Sequence, residues 1–284
     1  METKNRKDQF IIAFIENFEK SQQVIDYGIF FAQKLNKGLI LLYVSDKKYN
    51  TLSIEKAEKE LKKLNEQIKE DIFHSYCAIE GRTRDIVNKI SELLSGVLLI
   101  CSYCNEKPRN KKNKKRNYYK SLLNNLYLSR IAYFVFPENM EYKPIFNNVV
   151  LTLDNARECK EKVLWATYFG RFILSDITIY YHNYKDEFFR HQLHYNIKFT
   201  MKMLDNFNIK HSLHLSNDRK TYTDYQAMDY CIKNNCDTII CQTTKNRNLL
   251  NSLFGLKEEK LLEKNNEKPI LFLNIRDDLF VLCD

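Results

Sequence analysis

The residue types most able to do chemistry are its cysteines, its paired histidines and one dense run of cations. Cys101-Ser-Tyr-Cys104 has the spacing of a dithiol, but a redox pair needs its first thiol at a helix N-terminus, where thiolate is stabilised. Cys101 instead closes an apolar run of strand length. The remaining cysteines, Cys77, Cys159, Cys231, Cys236, Cys241 and Cys283, are scattered, and Cys231, Cys236 and Cys241 fall on different expected elements. They make a poor tetrahedral set, so structural thiols are expected and no metal site. His191/His194 could share a helix face, with Asp186 and Glu187 nearby; His211/His214, on an expected strand, would point to opposite faces. Both pairs read as ordinary surface or half-buried histidines.

Between Lys107 and Lys120 lie eight Lys or Arg residues, with Tyr118 and Tyr119 at the edge. Lys111, Lys112, Lys114, Lys115 and Arg116 form the centre of a possible polyanion surface, through phosphate contacts with aromatic stacking beside them. The competing reading is a solvated loop, and nucleic acid is not the expected partner. No GxxxxGK[ST], GxSxG, HExxH or strand-borne GxGxxG motif occurs, so no catalytic residues are assigned.

These residues must be positioned by a repeating set of elements. FIIAFI (10–15) and VVLTLD (149–154) are strand-length apolar runs, each followed by a helical stretch, to about Asn36 and Leu174. Val24 matches Val163, LILLYV (39–44) matches ITIYY (177–181), Cys101 matches Cys241, and IAYFVF (131–136) matches PILFLN (269–274). All offsets fall between 138 and 140, which predicts a duplication. Each copy reads as five strands alternating with helices. Expected helices include 52–73, 83–94 and 121–129 in the first copy, and 186–206, 222–235 and 249–264 in the second. Apolar strands without period-2 alternation, separated by helices, imply parallel sheets covered on both faces. The expected fold is therefore α/β, two tandem doubly wound five-stranded parallel-sheet domains, 1–140 and 141–284, joined at PENMEYKP (137–144). A ligand cleft would lie at the carboxyl ends of the strands.

A chain of 284 residues suffices for two cores, and 44% hydrophobic with 29% charged residues is a globular composition. The polar start METKNRKDQF and the lack of long apolar runs predict no signal peptide, no membrane span and a cytoplasmic location. A formal charge of +9 favours anionic partners only in a general way.

In the second copy, 147–181 resembles the opening of a universal stress protein domain: a first strand ending in Asp154, the polar NARE segment, and Trp165-Ala166 in mid-helix. Its closing stretch, 239–273, resembles that family's strand, G-x2-G-x9-G-(S/T) motif, helix and final strand. The resemblance implies the Usp fold (adenine nucleotide alpha hydrolase-like) over the whole chain. In ATP-binding relatives the glycines let backbone amides cradle phosphate. Here Gln242 and Lys245 stand at the first two glycine positions, Gly255 at the third, and Leu256 replaces the hydroxyl residue. The resemblance implies a tentative nucleotide site of Asp154, Gln242, Lys245, Arg247 and Gly255, with ATP the one cofactor to consider.

The first copy departs further. Ile15 aligns with Asp154, Glu16 is adjacent, the loop 102–120 has no glycine, and Gly81 keeps the turn before the third helix. The leading expectation is a non-catalytic stress-response protein. It would bind an adenine nucleotide in its second copy or protein partners, its copies forming an intramolecular pseudo-dimer and the chain open to further homodimerisation. Two alternatives stay open: an ATP-binding enzyme with weak hydrolase or phosphotransfer activity, and a polyanion-binding module using 107–120.

Overall fold

The structure is a computed structural model, and it describes residues 9–47, 52–104, 122–123, 126–127, 129–156, 159–216, 222–244, 256–265 and 267–274. The chain divides into two compact units, Met1–Pro144 and Ile145–Asp284.

In the first unit the strands are β1 (Phe10–Phe14), β2 (Gly38–Ser45), β3 (His74–Glu80), β4 (Gly96–Tyr103) and β5 (Ala132–Pro137). The helices between them are α1 (Gln22–Leu35), α2 (Ile54–Glu66) and α3 (Thr83–Leu93). Every pairing is parallel, in the order β3-β2-β1-β4-β5. All eight residues of β2 are buried, the pattern of a strand covered on both faces. α1 buries Val24, Ile25, Tyr27, Gly28, Phe31 and Ala32 at helical spacing. Tyr27 inserts between Phe134 and Phe136 of β5, at 5.2 and 4.8 Å between ring centroids. The α2 helix ends at Glu66, seven residues before the expected Phe73, and the chain beyond it still buries Ile68.

The second unit repeats the pattern with β6 (Asn148–Leu153), β7 (Asp176–Tyr181), β8 (His211–Leu215), β9 (Thr238–Gln242) and β10 (Ile270–Leu273). Its order, β8-β7-β6-β9-β10, is that of the first unit, again parallel. The helices are α4 (Lys160–Tyr168), α5 (Glu187–Asp205), α6 (Thr223–Lys233) and α7 (Lys257–Lys264). α4 runs on into one π-helical turn, Phe169–Ile173. The two units thus carry the doubly wound parallel α/β architecture that the alternation of elements predicts.

The segment expected as a linker packs on its own unit. Lys20 pairs with Glu138 at 2.7 Å, Gln23 donates to the Met140 carbonyl at 2.8 Å, and the Tyr142 hydroxyl donates to the Asp26 carbonyl at 3.2 Å.

The ladders refine one equivalence. Ile11 pairs with Leu98 and Val149 with Thr238, while Cys101 and Cys241 stay 140 apart, so β1 and β6 are offset by 138 rather than 139. The buried faces agree: 24, 25, 27, 28, 31 and 32 of the first unit map onto 162, 163, 165, 166, 169 and 170 of the second. The counterpart of Asp154 is therefore Glu16, not Ile15, and that of Val24 is Lys162, not Val163. Both strand tips carry a half-exposed carboxylate.

Candidate functional site

The carboxyl edge of the second sheet gathers charged side chains from four elements. β6 ends at Leu153 and the chain leaves the sheet at Asp154, whose Oδ1 accepts the Ala156 amide at 3.1 Å. This is an Asx turn, a local way to satisfy backbone at a strand end. Asn196 of α5, 1% exposed, donates through Nδ2 to the carbonyls of Asp154 and Ala156 at 2.9 and 2.8 Å, pinning the loop.

Lys162 extends from the buried face of α4, and its Nζ lies 3.8 Å from Asp154 Oδ1. Its side chain is 1% exposed against 34% for the carboxylate. Beside it, Asp224 in the first turn of α6 holds Lys257 of α7 at 2.9 Å. Burial acts to raise the Asp224 carboxyl, but Lys257 and Lys162 outweigh it and hold the group below its ordinary value. Burial likewise works against the Lys257 ammonium, and Asp224 lifts it above its ordinary value. Two cations and two anions therefore compensate one another where solvent is largely excluded, the condition under which buried charges persist.

The other side of the cluster is aromatic. His182 Nδ1 lies 2.5 Å from the Thr223 hydroxyl at the start of α6, and Tyr184 packs on the His182 ring at 4.5 Å. Burial lowers the His182 pKa, partly offset by Asp154. Burial, then the Asp154 charge, raises that of the Tyr184 phenol.

The turn after β9 is where a phosphate cradle would form. Gln242 ends the strand, buried, and the Thr243 hydroxyl donates to Asn274 Oδ1 at 2.7 Å. The Thr244 amide donates to Glu258 Oε1, and its hydroxyl to Oε2 at 3.2 Å. Glu258 stands in the first turn of α7 and is 3% exposed. A carboxylate of the chain itself thus holds the donors that a bound anion would use, at a helix start whose dipole favours negative charge. Leu256, the N-cap of α7, makes no side-chain cap bond, as expected for an apolar residue in a hydroxyl position.

Of the residues expected at a nucleotide site, Asp154 and Gln242 come to the ends of neighbouring strands. The Asp154 charge adds, after Asp224 and Glu258, to the upward shift of the Lys257 ammonium. Lys245, Arg247 and Gly255 lie outside the described residues, as do Lys111, Lys112, Lys114, Lys115 and Arg116. Sequence reasoning missed Lys162, Asn196, Asp224, Lys257 and Glu258. One signal was available: Lys162 precedes Val163 on the apolar stripe of α4, where the first unit has Val24.

In the first unit Asp46 takes the capping place, accepting the Thr83 amide and hydroxyl at 2.9 and 3.1 Å. Gly81 makes the turn before α3 at φ +155°, which a side chain rarely adopts. Cys101 is fully buried; desolvation, then Glu16, pushes its thiol well above the ordinary value. That is the reverse of a redox-poised cysteine. His191 pairs with Glu187 at 3.5 Å, and His214 stacks between Tyr180 and Tyr230 at 5.1 and 4.3 Å. Among the described residues no three His, Cys, Asp or Glu side chains group as a metal site, and no helix is long and apolar enough to cross a membrane.

No family model and no curated protein matches the sequence. Solved structures do match. A universal stress protein from Archaeoglobus fulgidus is similar with a TM-score of 0.72 at 16% identity, covering 96% of this chain and 100% of that one. A functionally unknown protein from Pseudomonas aeruginosa is similar with a TM-score of 0.61 at 13% identity, covering 97% and 95%. With near-complete coverage of both chains, the fold of this chain is that of the similar universal stress protein.

Proposed function

We propose that this chain is a non-catalytic stress-response protein, a duplicated universal stress unit that acts through protein partners and carries no nucleotide in its second unit. The observation that carries the reading is the Glu258 carboxylate on the Thr244 amide and hydroxyl. A nucleotide phosphate would have to displace a nearly buried carboxylate and then remain beside it. Like charges at such separations repel strongly where water is excluded. Among the described residues, the cations at this edge, Lys162 and Lys257, already face Asp154 and Asp224 and so offer little free positive charge.

The test is a calorimetric titration of the full chain with ATP and magnesium. No saturable heat at millimolar nucleotide is expected; saturable binding would return the site to the nucleotide reading.

A further inference from the structure

The C-terminus of α6 brings two cysteines of the second unit together, and it does so through backbone geometry. The helix ends at Lys233, Asn234 caps it, and Asn235 takes the left-handed conformation at φ 50°. The Cys236 amide then donates back to the Cys231 carbonyl at 2.8 Å, and the Asn235 amide to the Ile232 carbonyl at 3.2 Å. This is the six-to-one closure of a Schellman cap, the motif in which the side chains at its two ends touch. Here those side chains are thiols. Cys231 is wholly buried and Cys236 is 5% exposed. The corresponding cap of the first unit has Ser91 and Gly96 at these steps, with Ser95 left-handed at φ 50°. The fold needs the cap but not the thiols.

We infer that Cys231 and Cys236 are a modification site, an oxidisable dithiol that closes to a disulfide across the α6 cap when the chain meets a peroxide. The chemistry balances with hydrogen peroxide as oxidant. The Cys236 thiolate attacks one peroxide oxygen, the O–O bond breaks, and the departing hydroxide takes up a proton as water, leaving a sulfenic acid. Cys231 sulfur then attacks Cys236 sulfur; the S–O bond breaks and the second water leaves with the Cys231 proton. The interaction between the two thiols favours this division of roles, drawing Cys236 below the ordinary thiol value and pushing Cys231 above it. Lys268 also favours the Cys236 thiolate, while burial and Asp237 oppose it.

The experiment treats the folded full chain with peroxide, alkylates free thiols under denaturing conditions, then reduces and labels the remainder with a second reagent. Loss of two of the eight thiols is expected, recovered on reduction, with tryptic segments 221–233 and 234–245 linked through Cys231 and Cys236 while Cys241 stays alkylated. In Cys231→Ser, Cys236 should instead accumulate as a sulfenic acid trapped by dimedone. Full first-round alkylation of both thiols, a link from either to another cysteine, or Cys236 passing to sulfinic acid without a link would each overturn the assignment.

Discussion

Lys257 and Asp224 meet at 2.9 Å with side chains 21% and 11% exposed, so removing one leaves the other charged and without its nearest partner. Lys257→Met should cost about 3–5 kcal/mol in denaturant unfolding, and Lys257→Met with Asp224→Leu should recover most of it. A single variant within about 1 kcal/mol of wild type would show the pair to be solvent-screened instead. His182 gives a separate handle. Its folded pKa lies below the ordinary value, so the fold prefers the neutral ring. Its contribution is complete above the unfolded pKa of about 6.5 and falls as pH drops through that value towards the lower, folded pKa. In His182→Asn, the loss of stability between pH 7 and pH 5, read by urea midpoints, should flatten; an unchanged slope would assign it elsewhere. At this scale the sequence was only partly legible. Asp154 and Gln242 could be placed because strand ends are marked by the apolar runs that precede them. Asp224 and Glu258 were not singled out, since nothing local says which strand tip a helix start will face.

The elements were legible where hydrophobic period and strand length agreed, and less so where tertiary contact decides. Helix α2 stops at Glu66 while Ile68 beyond it is still buried, so the apolar spacing of a charged 22-residue window does not mark where the helix ends. The one-residue shift between β1 and β6 was hidden because Val24 and Val163 are alike in type while Lys162 is not. Burial, rather than residue type, identifies the true counterparts. Helix ends make a further point: Asn36, Ser95, Leu174, Asn208 and Asn235 all have positive φ, and none is glycine. Leu174, at φ 67° and 81% exposed, bears the left-handed penalty without any packing return. Leu174→Gly should therefore raise stability by roughly 0.5–1 kcal/mol in chemical denaturation. A loss of stability would mean that its side chain has a contact of value.

Across the whole molecule, the two units reproduce one strand order from sequences that share few residues, and that order follows from alternating apolar strands and amphipathic helices. Strand and helix alternation was therefore readable from pattern alone, whereas 105–121 and 245–255 fall outside the described residues. What distinguishes the units is what stands at the carboxyl edge. The first has Glu16 and Val24 where the second has Asp154 and Lys162. Among the described residues, only the second builds the charge cluster closed by Glu258. The central claim is that this carboxylate does internally what a phosphate does in a nucleotide site. Titrating wild type and Glu258→Ala side by side with ATP and magnesium tests it most directly. The account predicts no saturable heat for wild type at millimolar nucleotide, whether or not the variant gains weak binding; saturation of wild type at micromolar nucleotide would contradict it.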